Sequence, residues 1–242
     1  MGIIIAWHST QGPHTEDNRD CCGIGIQDEA ALCVLFDGSS SGLDSGSFAR
    51  AATRRLVDWF VGEQGVTADK IIERLRDIRR ELAASFRKDS ASVMIALFDR
   101  RGAAHLIHAG DCLAGLRYGA TAISWRVAPH TLANAVRDIA IEEIAVSPLR
   151  NRITRSFRTS GFMAPDVTGF AFEPDSDLIL ATDGFWALLS AERQIEFLGR
   201  GAARDTEHLD DCSALVLRID EEMPDQVQGN DTCNLYFVNA SG

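Results

Sequence analysis

No stretch of this 242-residue chain approaches 18 consecutive apolar residues, so no membrane-spanning helix is expected. The first residues, Met1-Gly2-Ile3-Ile4-Ile5-Ala6-Trp7, have no basic region ahead of their short apolar run, so they read as a first strand and not as a secretory leader. Position 6 is Ala6, so the myristoylation pattern fails even though Gly2 follows Met1. Six cysteines are present but no Cys-x-x-C pair, which argues against a zinc site. Cys33 and Cys212 fall in apolar strand patterns and read as small buried hydrophobes. With no secretion signal, the expected location is a reducing cytoplasm. Basic residues are scarce beside acidic ones, 24 Lys and Arg against 35 Asp and Glu, for a net charge of −11. That balance disfavours a nucleic-acid backbone or an anionic membrane as the main partner. Repeats, linkers and low-complexity segments are also missing, so residues 1–242 read as a single domain, with a strand and a tail over 221–242.

What the chain does have is apolar strands that end in acids. Leu32-Cys33-Val34-Leu35-Phe36 runs straight into Asp37-Gly38. A run of that kind reads as a strand buried on both faces. Gly38 then allows a sharp turn or a close backbone approach. The same design recurs where Leu178-Ile179-Leu180-Ala181-Thr182 meets Asp183-Gly184. A third version, His105-Leu106-Ile107-His108-Ala109-Gly110-Asp111, places the glycine before the acid. A buried carboxylate is costly unless it is paired or binds a metal, so the three acids are expected to converge on metal ions.

Around these strands the spacing predicts an α+β domain of hairpins and a few long helices. Gln27-Asp28-Glu29 is a hairpin turn candidate. A helix follows the Ser39–Gly46 loop, with Asp44 or Ser45 as its cap. A second helix runs from about Thr67, its N-cap, to Phe86. Ser92–Phe98 pairs with Ala104–Ala109 across Asp99-Arg100-Arg101-Gly102. Cys112–Arg117 and Thr121–Val127 continue the antiparallel pattern. The pattern turns helical from Thr131 to about Ile144, and again from Trp186 to Phe197, with Gly199 or Gly201 as the stop. Phe170–Phe172, Leu215–Ile219 and Asn234–Val238 read as further strands. Trp186 reads as core packing beside the Asp-Gly turn. His130 reads as structural. The arginines at 150, 152, 155 and 158 read as a solvated face.

Five segments, in order and across nearly the whole chain, resemble the metal-dependent type 2C Ser/Thr protein phosphatases in their bacterial form. They are Gly12 with Asn18-Arg19-Asp20, Val34-Leu35-Phe36-Asp37-Gly38, Ala109-Gly110-Asp111-Cys112, Leu180-Ala181-Thr182-Asp183-Gly184-Phe185-Trp186, and Asp210-Asp211-Cys212-Ser213. The resemblance implies a four-layer α/β/β/α sandwich of two antiparallel sheets flanked by helices, with a metal centre at one edge. Carried over by position, Asp37 would bridge two ions and the Gly38 carbonyl would bind one. Asp20, Asp183 and Asp210 would supply further ligands, and Asp111 would serve a third, weaker position. Oxygen ligands of this kind favour Mg²⁺ or Mn²⁺. The implied activity is hydrolysis of phosphoserine or phosphothreonine in proteins by a metal-activated water, in signalling downstream of a Ser/Thr kinase.

The chain departs from the family pattern at three places. Thr15 stands where the family has a phosphate-clamping arginine, and a bidentate clamp cannot come from threonine. His14, Arg19 or an arginine between 150 and 158 is left for that role. Arg19 replaces an acidic or amide residue, and Ser39-Ser40-Ser41-Gly42 replaces a Gly-rich or His-Gly-Gly run. A shifted register using Asp17 for Asp20 would restore Glu16-Asp17 but lose the Gly12 and Asn18 spacing, so Asp20 is preferred. These departures leave a second reading: a phosphatase-like module that docks a partner or phosphopeptide without turnover.

Overall fold

The structure, a computed structural model, describes residues 2–13, 15–100, 102–172, 175–200, 210–220, 222–231 and 233–241. Two sheets carry it. The first takes β1 (Gly2–Thr10), β6 (Leu113–Tyr118), β7 (Ser124–Trp125), β10 (Ser176–Ala181), β11 (Cys212–Asp220) and β12 (Gln226–Gly229), in the order β12-β1-β11-β10-β6-β7. The second takes β2 (Asp20–Ile26), β3 (Ala30–Gly38), β4 (Ser90–Asp99), β5 (Ala103–Ala109), β9 (Asp166–Ala171) and β13 (Leu235–Asn239), in the order β13-β2-β3-β4-β5-β9, with β8 (Phe157–Arg158) paired to the start of β4.

Period-two alternation explains why the second sheet is buried on both faces. Along β3, Cys33 and Leu35 face the core between the sheets, whereas Leu32, Val34 and Phe36 face the helices. Along β4, Met94, Ala96 and Phe98 face the first way and Val93, Ile95 and Leu97 the second. Helices α1 (Ser45–Gly62) and α2 (Ala68–Leu82) cover that outer face. Phe48 of α1 stacks on Phe157 with centroids 5.4 Å apart and lies 5.7 Å from Phe86. On the far side, α5 (Ala191–Arg200) lies over the first sheet, where Leu198 and Gly199 share a cavity with Ile4, Ala6 and Val216. The order is therefore helix, sheet, sheet, helix.

Both sheets are antiparallel inside but not throughout. β12 runs parallel to β1, and β13 runs parallel to β2. After β11, which is antiparallel to β1, the chain turns back at Asp220, whose carboxylate accepts from the Glu222 and Met223 amides. A strand that reverses β11 and returns to β1 must be parallel to it.

The local signals held where they were local. Thr67 caps α2, its hydroxyl accepting from the Lys70 amide at 3.3 Å. The Gln27 amide donates to the Ala30 carbonyl, closing the first hairpin. Other elements differ from the sequence expectation. Asp44 sits at the N-cap of α1 but makes no capping bond. Asp89 satisfies that end instead, accepting from the Asp44 amide at 3.0 Å and the Ser45 hydroxyl at 3.3 Å. The stretch read as a helix from Thr131 to Ile144 is mostly turns, with only α3 (Ile141–Ala145) helical. Its backbone is engaged elsewhere: the Leu132 amide donates to Arg152, and Thr131 bridges to Ile153. The helix expected over Trp186–Phe197 is two, α4 (Asp183–Trp186) and α5, parted at Ser190, whose carbonyl accepts from Gln194. Of the two proposed stops, Gly201 lies outside the described residues.

Candidate metal centre

The strand registers bring the acids together. Asp20 of β2 pairs with Asp37 of β3, which pairs with Ser92 of β4; Val93 pairs with Ala109, the last residue of β5. In the other sheet, Leu113 at the start of β6 pairs with Ala181 at the end of β10, which pairs with Ala214 near the start of β11. All these strands therefore begin or end at one edge of the sandwich. Among the described residues, Gly110–Cys112 carries the chain from the second sheet to the first at this edge. Gly110 sits at φ +121°, and an added Cβ would collide with Ser92, so a glycine is required at this crossing.

Asp37, Gly38, Asp111, Asp183 and Asp210 line one cleft of about 290 Å³ at this edge. Ser39, Ser40 and Ser41 line it too, as do Asn151 and Ser156 from the segment ahead of β8. Asp20 does not line the cleft. It is buried, with Oδ2 accepting from the Thr182 hydroxyl at 3.0 Å and Oδ1 without a hydrogen-bond partner. Asp17, the acid of the alternative register, points away into an exposed pair with Arg50 at 2.6 Å.

The acids crowd one another. Burial pushes the Asp37 carboxyl well above the usual range, and the charges of Asp20, Asp183, Asp111 and Asp210 push it further. Asp20 is raised well above the usual range, chiefly by burial and then by Asp211. Asp111 is raised by burial, against the pull of the Ser92 hydroxyl, which donates to its Oδ1 at 2.6 Å. Asp183 is pushed up to about 7, by burial first and then by Asp111 and Asp210, with Arg150 pulling the other way. Arg150 was read as part of a solvated face. Instead its Nη1 lies 3.1 Å from Asp183 Oδ2, with the two side chains only 16% and 15% exposed.

Three residues of this edge make contacts that the sequence reading did not assign. Asp211 straps Gly12, Thr15 and Arg19 to the first sheet, accepting from the Gly12 and Arg19 amides at 2.7 Å each and from the Thr15 hydroxyl at 3.2 Å. Thr182 links Asp20 to Ser213, whose amide donates to its hydroxyl at 3.1 Å. Trp186 donates from Nε1 to the Asp111 carbonyl at 2.8 Å, so it positions the turn as well as packing beside it. The adjacency of Asp210 and Asp211 was the visible signal for the first; the others depend on long-range contacts.

The donor set suits hard divalent cations. It is made of carboxylates and a backbone carbonyl, with one buried carboxylate oxygen left orphaned. The thiols of Cys112 and Cys212 are held protonated by burial, so soft ligands are not on offer. A second group, His108, His130 and Asp166, has ligand atoms within 4.8 Å of one another. Its rings stack at 4.7 Å with an interplanar angle of 12°, so their in-plane lone pairs lie in parallel planes and do not meet at one point. His130 Nδ1 accepts from the Gly110 amide, so Nε2 carries the proton and donates to Asp166, which Arg155 also holds. That group therefore serves as a strap on the Gly110 turn, consistent with a structural His130.

The raised carboxyls fix a pH dependence. In the unfolded chain Asp183 loses its proton near the ordinary value of 3.8, and in the folded protein only near 7. Between those values the folded state binds more protons, so stability falls as pH rises. The melting temperature of EDTA-treated protein should therefore drop between about pH 5 and about pH 8, and Mn²⁺ added at the upper end should restore it. A flat or rising profile, followed by calorimetry, would contradict the crowding.

No family model and no curated protein sequence matches the chain. Solved structures do. The serine/threonine phosphatase of S. agalactiae superposes with a TM-score of 0.72 at 17% identity, over 90% of this chain and 100% of that one. Stp1 from Staphylococcus aureus gives 0.74 at 18% identity, over 89% and 94%. The Mycobacterium tuberculosis phosphatase PstP/Ppp gives 0.71 at 20% identity, over 91% and 100%. With two sheets between helices, and acids gathered from both sheets at one edge, the chain has the fold of the bacterial serine/threonine phosphatases.

Proposed function

We propose that the chain, as one phosphatase-like domain, is a Mg²⁺- or Mn²⁺-dependent protein phosphatase acting on phosphoserine and phosphothreonine. The observation that carries this reading is the convergence of Asp37, Asp111, Asp183 and Asp210 on one polar cleft, with Asp20 adjoining Asp37. Folding alone gives no reason to gather five carboxylates at one edge, four of them, Asp20, Asp37, Asp111 and Asp183, with raised proton affinity. Asp37, the Gly38 carbonyl, Asp183 and Asp210 would hold two ions, Asp111 would serve a third, and Asp20 would support Asp37. Cations bound there supply positive charge against the phosphoryl oxygens and acidify a water near neutral pH.

The chain's own residues then do the positioning. Ser92 and Trp186 fix Asp111 from its side chain and its carbonyl. Thr182 fixes Asp20. The hydroxyls of Ser39, Ser40 and Ser41 offer donors to a phosphate or to the substrate backbone along the cleft. The cleft is open and polar, which suits a side-chain phosphate on a protein surface.

The test is hydrolysis of p-nitrophenyl phosphate and of a phosphothreonine peptide, with Mn²⁺ and with EDTA. Turnover that needs Mn²⁺ and includes the peptide supports the reading. Mn²⁺ binding without turnover on either substrate would leave a phosphatase-like binding module, and no Mn²⁺ binding would remove the metal centre altogether.

A further inference from the structure

We infer that Arg150 is the phosphate clamp of this chain, resting on Asp183 until divalent cations take that carboxylate over. This rests on the phosphatase reading above. Arg19, Arg50 and Arg155 are engaged elsewhere. Thr15, at the position aligned with the family's clamp, spends its hydroxyl on Asp211. Arg19 braces the serine loop, its Nη1 donating to the Ser39 carbonyl at 3.0 Å and the Gly42 carbonyl at 3.4 Å. Arg50 is tied to Asp17 and to the Asn18 carbonyl. Arg155 is tied to Asp166. His14 lies outside the described residues. Arg150 differs from these because its partner, Asp183, is a carboxylate that lines the cleft.

The segment bearing Arg150 is held in place. The Arg152 carbonyl accepts from the Leu132 amide, the Thr154 amide donates to His130, and Phe157–Arg158 pairs with the start of β4. Asn151 and Ser156, on either side of these anchors, line the cleft. The guanidinium thus reaches the acids from a pinned backbone, and its charge also acts on Asp111. A guanidinium has five donors in a fork that fits two phosphate oxygens, and it needs little rearrangement to change from a carboxylate to a phosphate. A cation that takes Asp183 removes the anion that Arg150 was neutralising. The same cation attracts a phosphate, the next anion within reach of the fork.

Two consequences follow, and a purely structural arginine would not produce the second. Removing the charge should strengthen Mn²⁺ binding, because the competing cation is gone. It should also weaken phosphate binding to the Mn²⁺-loaded protein. The experiment is calorimetric titration of wild type, Arg150→Met and Arg150→Lys with Mn²⁺, and then of each Mn²⁺-loaded protein with inorganic phosphate. Arg150→Met is expected to bind Mn²⁺ roughly 3- to 10-fold tighter and phosphate roughly 10- to 100-fold weaker. Arg150→Lys, which keeps the charge but loses the fork, should fall between. Saturable Mn²⁺ binding by each variant also shows that it has folded. Phosphate affinity unchanged in Arg150→Met overturns the clamp, as does a loss seen instead in Arg19→Met. A wild type that binds no Mn²⁺ overturns the phosphatase reading, and the clamp with it.

Discussion

Asp37→Asn is expected to lower Mn²⁺-dependent turnover by at least about 10³-fold while stabilising the EDTA-treated protein. The two effects have opposite signs and one cause. Asp37 pairs with Asp20 across β2 and β3, and its carboxyl is raised first by burial and then by Asp20 and three further acids. Without divalent cations that crowding opposes folding, so a neutral amide of the same shape should raise stability. For a domain of this size that is a melting temperature about 2–4 °C higher per kcal/mol. With Mn²⁺ the order should reverse, because a neutral amide cannot balance the charge of a divalent cation. Phosphatase assays beside calorimetry, each with Mn²⁺ and with EDTA, give the four measurements. A variant that loses activity and is also less stable in EDTA would mean that Asp37 holds the fold and not a metal.

The second large effect is on the fold beneath the site. Gly184→Ala should destabilise the protein by about 3 kcal/mol. A Cβ on Gly184 would land on the Asp211 carbonyl, and backbone cannot swing aside as a side chain does. Gly184 follows Asp183 and Asp211 follows Asp210, so this contact sets two candidate ligands side by side. The same substitution should therefore weaken Mn²⁺ binding as well as folding. Gly62→Ala is the control: it closes α1, and a Cβ there meets nothing within 4 Å. It should be neutral, or stabilising by up to about 1 kcal/mol. Urea denaturation of the two variants separates the cases, and equal stability of both would sink the close-approach account.

Much of this arrangement was legible in the sequence because its signals are short-range. The run Leu32–Phe36 and the β4–β5 hairpin announce strands by burial and turn residues alone, and Thr67 announces its helix. The acids were legible because each stands at or beside one end of a strand, and antiparallel pairing then puts those ends at one edge. What sequence missed depends on partners far along the chain. Leu132 and Val136 supplied part of the helical pattern after Thr131, yet they are 46% and 97% exposed. The backbone bonds of that segment go to residues 152 and 153 instead. Arg150 looked like one more surface cation because Asp183 is 33 residues away. Ser190, ahead of Glu192, was a readable cap signal that a continuous helix from Trp186 overrode.

The pairing of β1 with β11 joins Gly2 to Asp220, almost the two ends of the chain. During translation the second sheet can begin to assemble early, since β2 through β5 are neighbours in both sequence and space. The first strand cannot. At about 5–20 residues per second, some 200 further residues take roughly 10–40 s to emerge. For that interval Ile3, Ile5 and Trp7, all buried in the finished protein, stand on a strand with neither neighbour yet made. An apolar strand with unpaired edges is a ready template for association with another chain. Protein yield should therefore respond to chaperone supply and slower synthesis more through polar substitutions at Ile3 or Ile5 than through changes in the cleft.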